Sequence, residues 1–98
     1  MGNFQDIVKG ETPTLVDFFA TWCGPCKAMQ PTLDQLKTDM HEKVRILKID
    51  VDKNQAVAEK FKVRGVPTFV LFKNGEIILR QSGGMSLQTL KDKITPHI

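Results

Sequence analysis

The feature that most constrains the fold is a pair of cysteines three positions apart, Cys23 and Cys26, between a buried-strand pattern and a helical pattern. The strand pattern covers Thr14–Phe19, and the helical pattern begins near Gly24. A disulfide at this spacing closes a very small loop, and stabilisation by a cross-link grows with the size of that loop. The pair is therefore expected to serve a redox or metal-binding role and not to hold the fold together.

Strand and helix patterns alternate along the chain, which predicts an α/β fold. Asn74-Gly75 is the strongest short-range signal for a tight hairpin turn, so the last two strands are expected to be antiparallel. We expect a mixed sheet with helices on both faces. The predicted strands cover residues 14–19, 44–49, 68–73 and 76–80.

Four helices are predicted from their caps and spacing. Asn3 caps the first, Asp52 with Gln55 resembles a capping box for the third, which continues to about residue 61, and Ser86 caps the last. Pro31 lies inside the second helix and is expected to bend it without ending it. A stripe along that helix is expected to be core without a cofactor role: Met29, Leu33, Leu36 and Met40.

Composition limits the functional classes. At 98 residues and 41% hydrophobic content, the chain is expected to form one domain over residues 1–98. The net charge of +3 is dispersed except over residues 60–64, a run typical of a solvated face, and nothing resembles a nucleic-acid-binding pattern. No segment approaches the ~20 apolar residues of a membrane span, and the start lacks signal-peptide features. We expect a soluble cytoplasmic protein, unless an export signal has been removed.

Zinc binding is the main alternative chemistry for cysteines at this spacing. Structural zinc requires four ligands, and the chain offers only His41 and His97 besides the two cysteines. His41 lies in a polar segment and His97 next to the last residue, positions typical of surface histidines. We therefore expect no metal site.

The position of Cys23 before a helix predicts that it is the nucleophile. The first N–H groups and the dipole of a helix favour a thiolate, which is the attacking species in exchange. Cys26, one turn further, is expected to be more buried and to resolve the mixed disulfide that Cys23 forms. Gly24 and Pro25 allow a tight turn and limit its freedom, so the second attack is effectively intramolecular.

Residues 22–27, Trp-Cys-Gly-Pro-Cys-Lys, resemble the active-site signature of the thioredoxins, and the likeness covers nearly the whole chain. It implies the thioredoxin fold, a mixed sheet flanked by about four helices, without the family's opening strand and so with about four strands. Phe19 stands where the family often carries a second tryptophan, and Gly84 follows Gly83 where a single glycine is common. The other matching segments are Val16-Asp17-Phe18, Lys48-Ile49-Asp50, Gly65-Val66-Pro67-Thr68 and Phe72-Lys73-Asn74-Gly75, followed by Gly83.

Asp17 is a carboxylate within an otherwise apolar strand, where burial without partners is costly and raises the pKa. The resemblance implies that Asp17 lies beneath Cys26 and acts as its general base, directly or through a water, with Lys48 nearby to stabilise the buried charge. The alternatives are that Asp17 only pairs with Lys48 inside the sheet, or that Lys48 is an ordinary strand lysine reaching solvent.

The resemblance also implies a cis bond between Val66 and Pro67, although the sequence alone favours trans. The proline ring would lie against the disulfide, and the Val66 backbone would be free to pair with an extended substrate. A flat, mildly apolar docking surface would then accept many proteins. The alternatives are that Trp22 packs partly in the core and that Gly83 only ends a strand. The implied substrate-binding residues are Trp22, Gly24, Pro25, Gly65, Val66, Pro67 and Gly83.

The resemblance implies a monomeric, cofactor-free enzyme that reduces protein disulfides by dithiol–disulfide exchange. Its electron source would be thioredoxin reductase, an NADPH-linked flavoprotein, and its clients would include ribonucleotide reductase, peroxiredoxins and methionine sulfoxide reductases. Oxidative branches of the family often carry histidine before the second cysteine, where this chain has Pro25. The alternatives are an exported disulfide oxidase or isomerase and a redox-independent binding module.

Overall fold

Strand β1 (Thr14–Phe19) is buried along almost its whole length because it lies between two other strands. The computed structural model describes residues 4–98. β1 pairs in parallel with β2 (Arg45–Asp50) and antiparallel with β3 (Thr68–Lys73). β4 (Glu76–Ser82) completes a four-stranded sheet with the order β2-β1-β3-β4. The predicted mixed sheet is therefore confirmed.

Helices cover both faces of this sheet. Alternate side chains of a strand point to opposite faces, so neighbouring residues can belong to different apolar clusters. Leu15, Phe69 and Leu71 belong to one apolar cluster, whereas Val16 and Phe18 belong to another. The first cluster includes α3 and α5, and the second includes α1 and α4. The helices are α1 (Phe4–Val8), α2 (Gly24–Ala28), α3 (Gln30–Met40), α4 (Gln55–Lys60) and α5 (Leu87–Ile94), with 3-10 turns at His41–Lys43 and Thr95–His97.

The second predicted helix is divided into α2 and α3 at Met29, so the expectation of one bent helix is corrected. Pro31 has no N–H with which to continue the helical ladder. Met29 keeps right-handed helical dihedrals (φ −78°, ψ −15°), and its N–H contacts the carbonyls of both Pro25 and Cys26 at 3.2 Å. The interruption therefore precedes the proline and leaves Gln30 as the first residue of α3.

Local turn and cap signals are confirmed at two places. Asn74 and Gly75 both have positive φ, 54° and 80°, as a tight hairpin turn requires. The Ser86 hydroxyl accepts a hydrogen bond from the Thr89 N–H at 3.1 Å and caps α5. The predicted cap Asn3 lies outside the described residues.

The capping box predicted at Asp52 is wrong. α4 begins at Gln55 after Asn54, which makes no side-chain cap. The Asp52 carboxylate accepts instead from the indole N–H of Trp22, at 2.9 Å. A contact with a side chain 30 residues away has replaced the local cap.

Within residues 4–98, no helix is long and apolar enough to cross a membrane.

Candidate functional site

Cys23 caps the N-terminus of α2. Its backbone is extended (φ −87°, ψ 111°), and its Sγ accepts a hydrogen bond from the Cys26 N–H at 3.1 Å. Pro25 lies in the first turn, where the absence of an N–H does not interrupt the ladder. A disulfide joins Cys23 and Cys26, whose Cα atoms are 5.3 Å apart. On reduction, the same N–H and the helix dipole favour a thiolate at Cys23.

Both cysteines are buried in this oxidised form. Cys23 is 3% exposed and Cys26 is 2% exposed, so the expected difference in burial between the two residues is not present. They pack with Ala20, and Phe19 and Val66 lie against the same cluster. The loop between them remains accessible, because Gly24 and Pro25 are exposed.

Trp22 is 70% exposed, so the alternative that it packs in the core is wrong. Its indole N–H is held by Asp52, which fixes the exposed ring beside the cysteine turn. We call the shallow depression next to this ring the docking groove. The docking groove is lined by Trp22, Val51, Val63, Arg64, Gly65 and Val66.

Pro67 adjoins the docking groove, and its bond to Val66 is cis. The Pro67 carbonyl accepts from the Gly83 N–H at 2.9 Å, and the Gly65 carbonyl accepts from the Thr68 hydroxyl at 2.6 Å. Gly83 has a φ of 90°, which strongly favours glycine. Gly83 thus follows the end of β4, and its N–H joins that end to the Pro67 backbone.

Asp17 is 1% exposed, and both of its carboxylate oxygens are buried without a hydrogen-bond partner among residues 4–98. Burial raises the pKa of Asp17 from 3.8 to about 6, although the positive charge of Lys48 acts in the opposite direction. Because alternate residues of a strand share a face, Asp17 lies on the same side of β1 as Phe19. Phe19 packs against the cluster of Cys23 and Cys26. Asp17 precedes Phe19 by two residues on β1 and therefore lies further into the sheet on the same face.

Lys48 is the residue opposite Asp17 on β2, but the two make no ion pair in the described structure. The Lys48 ammonium donates a hydrogen bond to Gln30 Oε1 and lies 5.5 Å from the centre of the Phe19 ring. The alternative of a simple Asp17–Lys48 pair is therefore not supported. Gln30 is a site residue that sequence reasoning missed, because no motif or periodicity marked it.

The histidines do not join the site. Among residues 4–98, no three His, Cys, Asp or Glu side chains are grouped so that they could hold a metal ion. His41 and His97 lie in the two separate 3-10 turns. Of the sequence-predicted residues, Trp22, Gly65 and Val66 line the docking groove beside the cysteine turn. Asp17 and Lys48 lie opposite each other on β1 and β2.

The comparisons with known proteins indicate the same family. Residues 1–96 match the family model described as Thioredoxin. The chain is 44% identical over 92 residues to the thioredoxin of Haemophilus influenzae, an alignment covering 94% of this chain and 86% of that protein. It is similar to oxidised mitochondrial thioredoxin 3 from Saccharomyces cerevisiae, with a TM-score of 0.86 and 39% identity over 95% of this chain and 86% of that one.

A third similar chain comes from a structure addressing the thiol resolving mechanism in yeast mitochondrial 1-Cys peroxiredoxin via glutathione/thioredoxin systems. Its TM-score is 0.86, with 38% identity over 95% of this chain and 86% of that one. Family, fold and a cysteine pair at the head of a helix agree. The chain therefore belongs to the thioredoxin family of disulfide-reducing oxidoreductases, and Cys23 and Cys26 are its redox-active pair.

Proposed function

We propose that this chain is a general protein-disulfide reductase, with Cys23 as nucleophile and Cys26 as resolving thiol. The observation that carries the proposal is the position of Cys23 at the head of α2, with its Sγ hydrogen-bonded to the Cys26 N–H and with the docking groove beside the turn. A thiolate stabilised beneath an accessible turn, beside a groove that other proteins can reach, suits attack on their disulfides.

The reaction balances over two thiol–disulfide exchanges. The Cys23 thiolate attacks one sulfur of a client disulfide and forms a mixed disulfide, while the other client sulfur leaves as a thiolate and is protonated. The Cys26 thiolate then attacks the Cys23 sulfur, releases the second client thiolate and closes the Cys23–Cys26 disulfide. Two electrons and two protons pass to the client in each cycle.

Asp17 is proposed as the general base for Cys26, directly or through a water. Two observations support this role: its carboxylate is buried on the face of β1 whose Phe19 packs against the cysteine cluster, and it has no hydrogen-bond partner within the described part of the chain. A pKa near 6 leaves the carboxylate ionised at neutral pH yet a stronger base than an ordinary aspartate. Lys48 is proposed to stabilise the negative charge of the buried Asp17 carboxylate.

Clients are proposed to dock across the exposed Trp22 ring and the docking groove. β3 begins at Thr68, so Val66 precedes the hydrogen-bonded ladder, and an extended client segment can pair with its backbone. The shallow groove offers little shape with which to select one sequence, which supports a broad range of clients. The residues proposed to contact clients are Trp22, Gly24, Pro25, Gly65, Val66, Pro67 and Gly83.

We also propose that residues 1–98 act as one monomeric cytoplasmic domain without a bound cofactor. An NADPH-linked flavoprotein, a thioredoxin reductase, would restore the dithiol. Ribonucleotide reductase, peroxiredoxins and methionine sulfoxide reductases are the proposed clients. Similarity to the chain from the 1-Cys peroxiredoxin structure supports the peroxiredoxin class.

Reduction of insulin with dithiothreitol as electron source tests the reductase proposal. We expect the wild-type protein to accelerate insulin precipitation well beyond dithiothreitol alone, because each chain turns over many times. Cys23→Ser, which keeps the fold but removes the nucleophile, should match dithiothreitol alone. If wild type and Cys23→Ser are equally slow, and a variant with both cysteines replaced by serine restores cells lacking the protein, the chain is a binding module instead.

A further inference from the structure

The side chains of Asp17 and Lys48 face the same side of the sheet as neighbours on two parallel strands. Opposite charges placed in this way ordinarily form an ion pair, and a buried carboxylate without other partners should favour one strongly. Here both Asp17 oxygens remain without a hydrogen-bond partner in the described structure, and the Lys48 ammonium is bound to Gln30. Some other contact must therefore compete for Lys48.

Gln30 supplies that competing contact. It is the first residue of α3, immediately after the interruption at Met29, and its amide oxygen accepts a hydrogen bond from the Lys48 ammonium. The ring of Phe19, 5.5 Å from the ammonium, adds a cation–π contact on the same side. These two contacts hold the positive charge towards the exterior instead of over the carboxylate.

We propose that Gln30 is a positioning residue that holds the Lys48 ammonium away from Asp17, so that the carboxylate keeps a high affinity for the proton of Cys26. This inference rests on the proposed function of Asp17 as the general base. Gln30 contacts neither client nor reacting sulfur in the proposal and acts only through Lys48.

Among the described residues, few other charges face Asp17. Its neighbour on β3 is Phe69, and the buried side chains that α3 and α5 contribute to this face are apolar. From α2, Lys27 and Cys26 line a shallow depression together with Gln30 and Phe19. Among the described charged side chains, Lys48 is the one that acts on the pKa of Asp17, and its positive charge lowers that pKa.

Replacement of Gln30 by alanine should release Lys48 towards Asp17 and lower the pKa of Asp17 by about one unit, since a cation within 4–6 Å lowers a carboxyl pKa by roughly one to three units. Titration of the Asp17 carboxyl carbon by NMR measures this directly. The oxidised protein is the suitable sample because its sulfurs do not titrate. Gln30→Met, which keeps the side-chain length but has no amide oxygen, should lower the pKa equally.

The control is the same substitution without the lysine. In a Lys48→Met background, Gln30→Ala should leave the Asp17 pKa unchanged, because no ammonium remains to be released. An equal fall in the Asp17 pKa in the Lys48→Met background would show a structural effect and overturn the proposal. No fall, or a rise, in both single variants of Gln30 would overturn it as well.

A second measurement separates this inference from the proposed function. The rate at which reduced Cys26 resolves a mixed disulfide should rise with pH about one unit earlier in Gln30→Ala than in wild type. A shifted Asp17 titration with an unshifted rate profile would support the positioning of Lys48 by Gln30 and overturn the role of Asp17 as base.

Discussion

Cys26→Ser is expected to convert the protein from an enzyme that turns over into one that remains covalently bound to its clients. Cys23 can still attack a client disulfide, because its thiolate is stabilised by the head of α2 and by the N–H of residue 26, which the substitution keeps. Without a second thiol one helical turn away, nothing inside the chain displaces the client. The mixed disulfide should accumulate to about one client per chain, with no second turnover.

Non-reducing electrophoresis and intact mass measurement of the adducts check this result. Cys23→Ser is the matched control, since it leaves one thiol but not the one at the helix cap, and it should form no comparable adduct. Adducts on Cys23→Ser and none on Cys26→Ser would reverse the roles assigned to the two sulfurs.

Asp17→Asn is expected to slow the resolution of the mixed disulfide by Cys26. It should also remove the dependence of this rate on pH near 6. A positioned general base contributes about 10²–10⁴-fold to a proton-transfer step, so we expect a loss of at least about 10²-fold at pH 7. In the wild type the resolution rate should rise as the Asp17 carboxylate loses its proton, with a midpoint near its pKa of about 6. Rapid-mixing measurements of mixed-disulfide decay between pH 4.5 and 8 give both quantities.

The same variant should be more stable than wild type at neutral pH. Folding raises the pKa of Asp17 from 3.8 to about 6, so between these values the native state binds more protons than the unfolded state. The free energy of unfolding of the oxidised protein therefore falls as pH rises through this window, by about 3 kcal/mol in all. Asparagine avoids that loss but buries an unpaired amide at a cost of about 1–3 kcal/mol, which leaves a net gain of up to about 2 kcal/mol at pH 7.

Urea unfolding of oxidised wild type and Asp17→Asn at pH 4 and pH 7 measures this gain. The two proteins should differ more at pH 7 than at pH 4. Asp34→Asn is a suitable control because Asp34 is an exposed aspartate on α3, and it should leave the pH dependence unchanged. Equal stability and equal resolution rates in Asp17→Asn and wild type would contradict both the burial and the catalytic role of Asp17.

The features that could be predicted from sequence are those with local causes. Asn74-Gly75 predicted a hairpin because both positions adopt positive φ, and Ser86 predicted a cap because its hydroxyl reaches an N–H three residues later. The strand Thr14–Phe19 followed from an uninterrupted run of mostly apolar residues. The spacing of Cys23 and Cys26 at a strand-to-helix junction is likewise a local pattern, and it predicted the redox pair.

The features that could not be predicted depend on residues far apart in the chain. Asp52 had the spacing of a cap but binds Trp22, and the ammonium of Lys48, opposite Asp17 on β2, is bound by Gln30, 18 residues earlier. Lys62 is a further case: it has a φ of 55°, unusual for a lysine. Its carbonyl accepts a hydrogen bond from the Arg80 guanidinium at 2.8 Å, a tertiary contact that no local pattern shows.

The reduction potential of the Cys23–Cys26 pair tests the central claim most directly. It is measured by equilibrating the protein in thiol buffers of defined potential and scoring the free thiols. A reductase should have a potential close to that known for thioredoxin, about −270 mV, at which the dithiol readily gives electrons to most protein disulfides. A value of about −180 to −120 mV, the range of disulfide isomerases and oxidases, would contradict the reductase assignment.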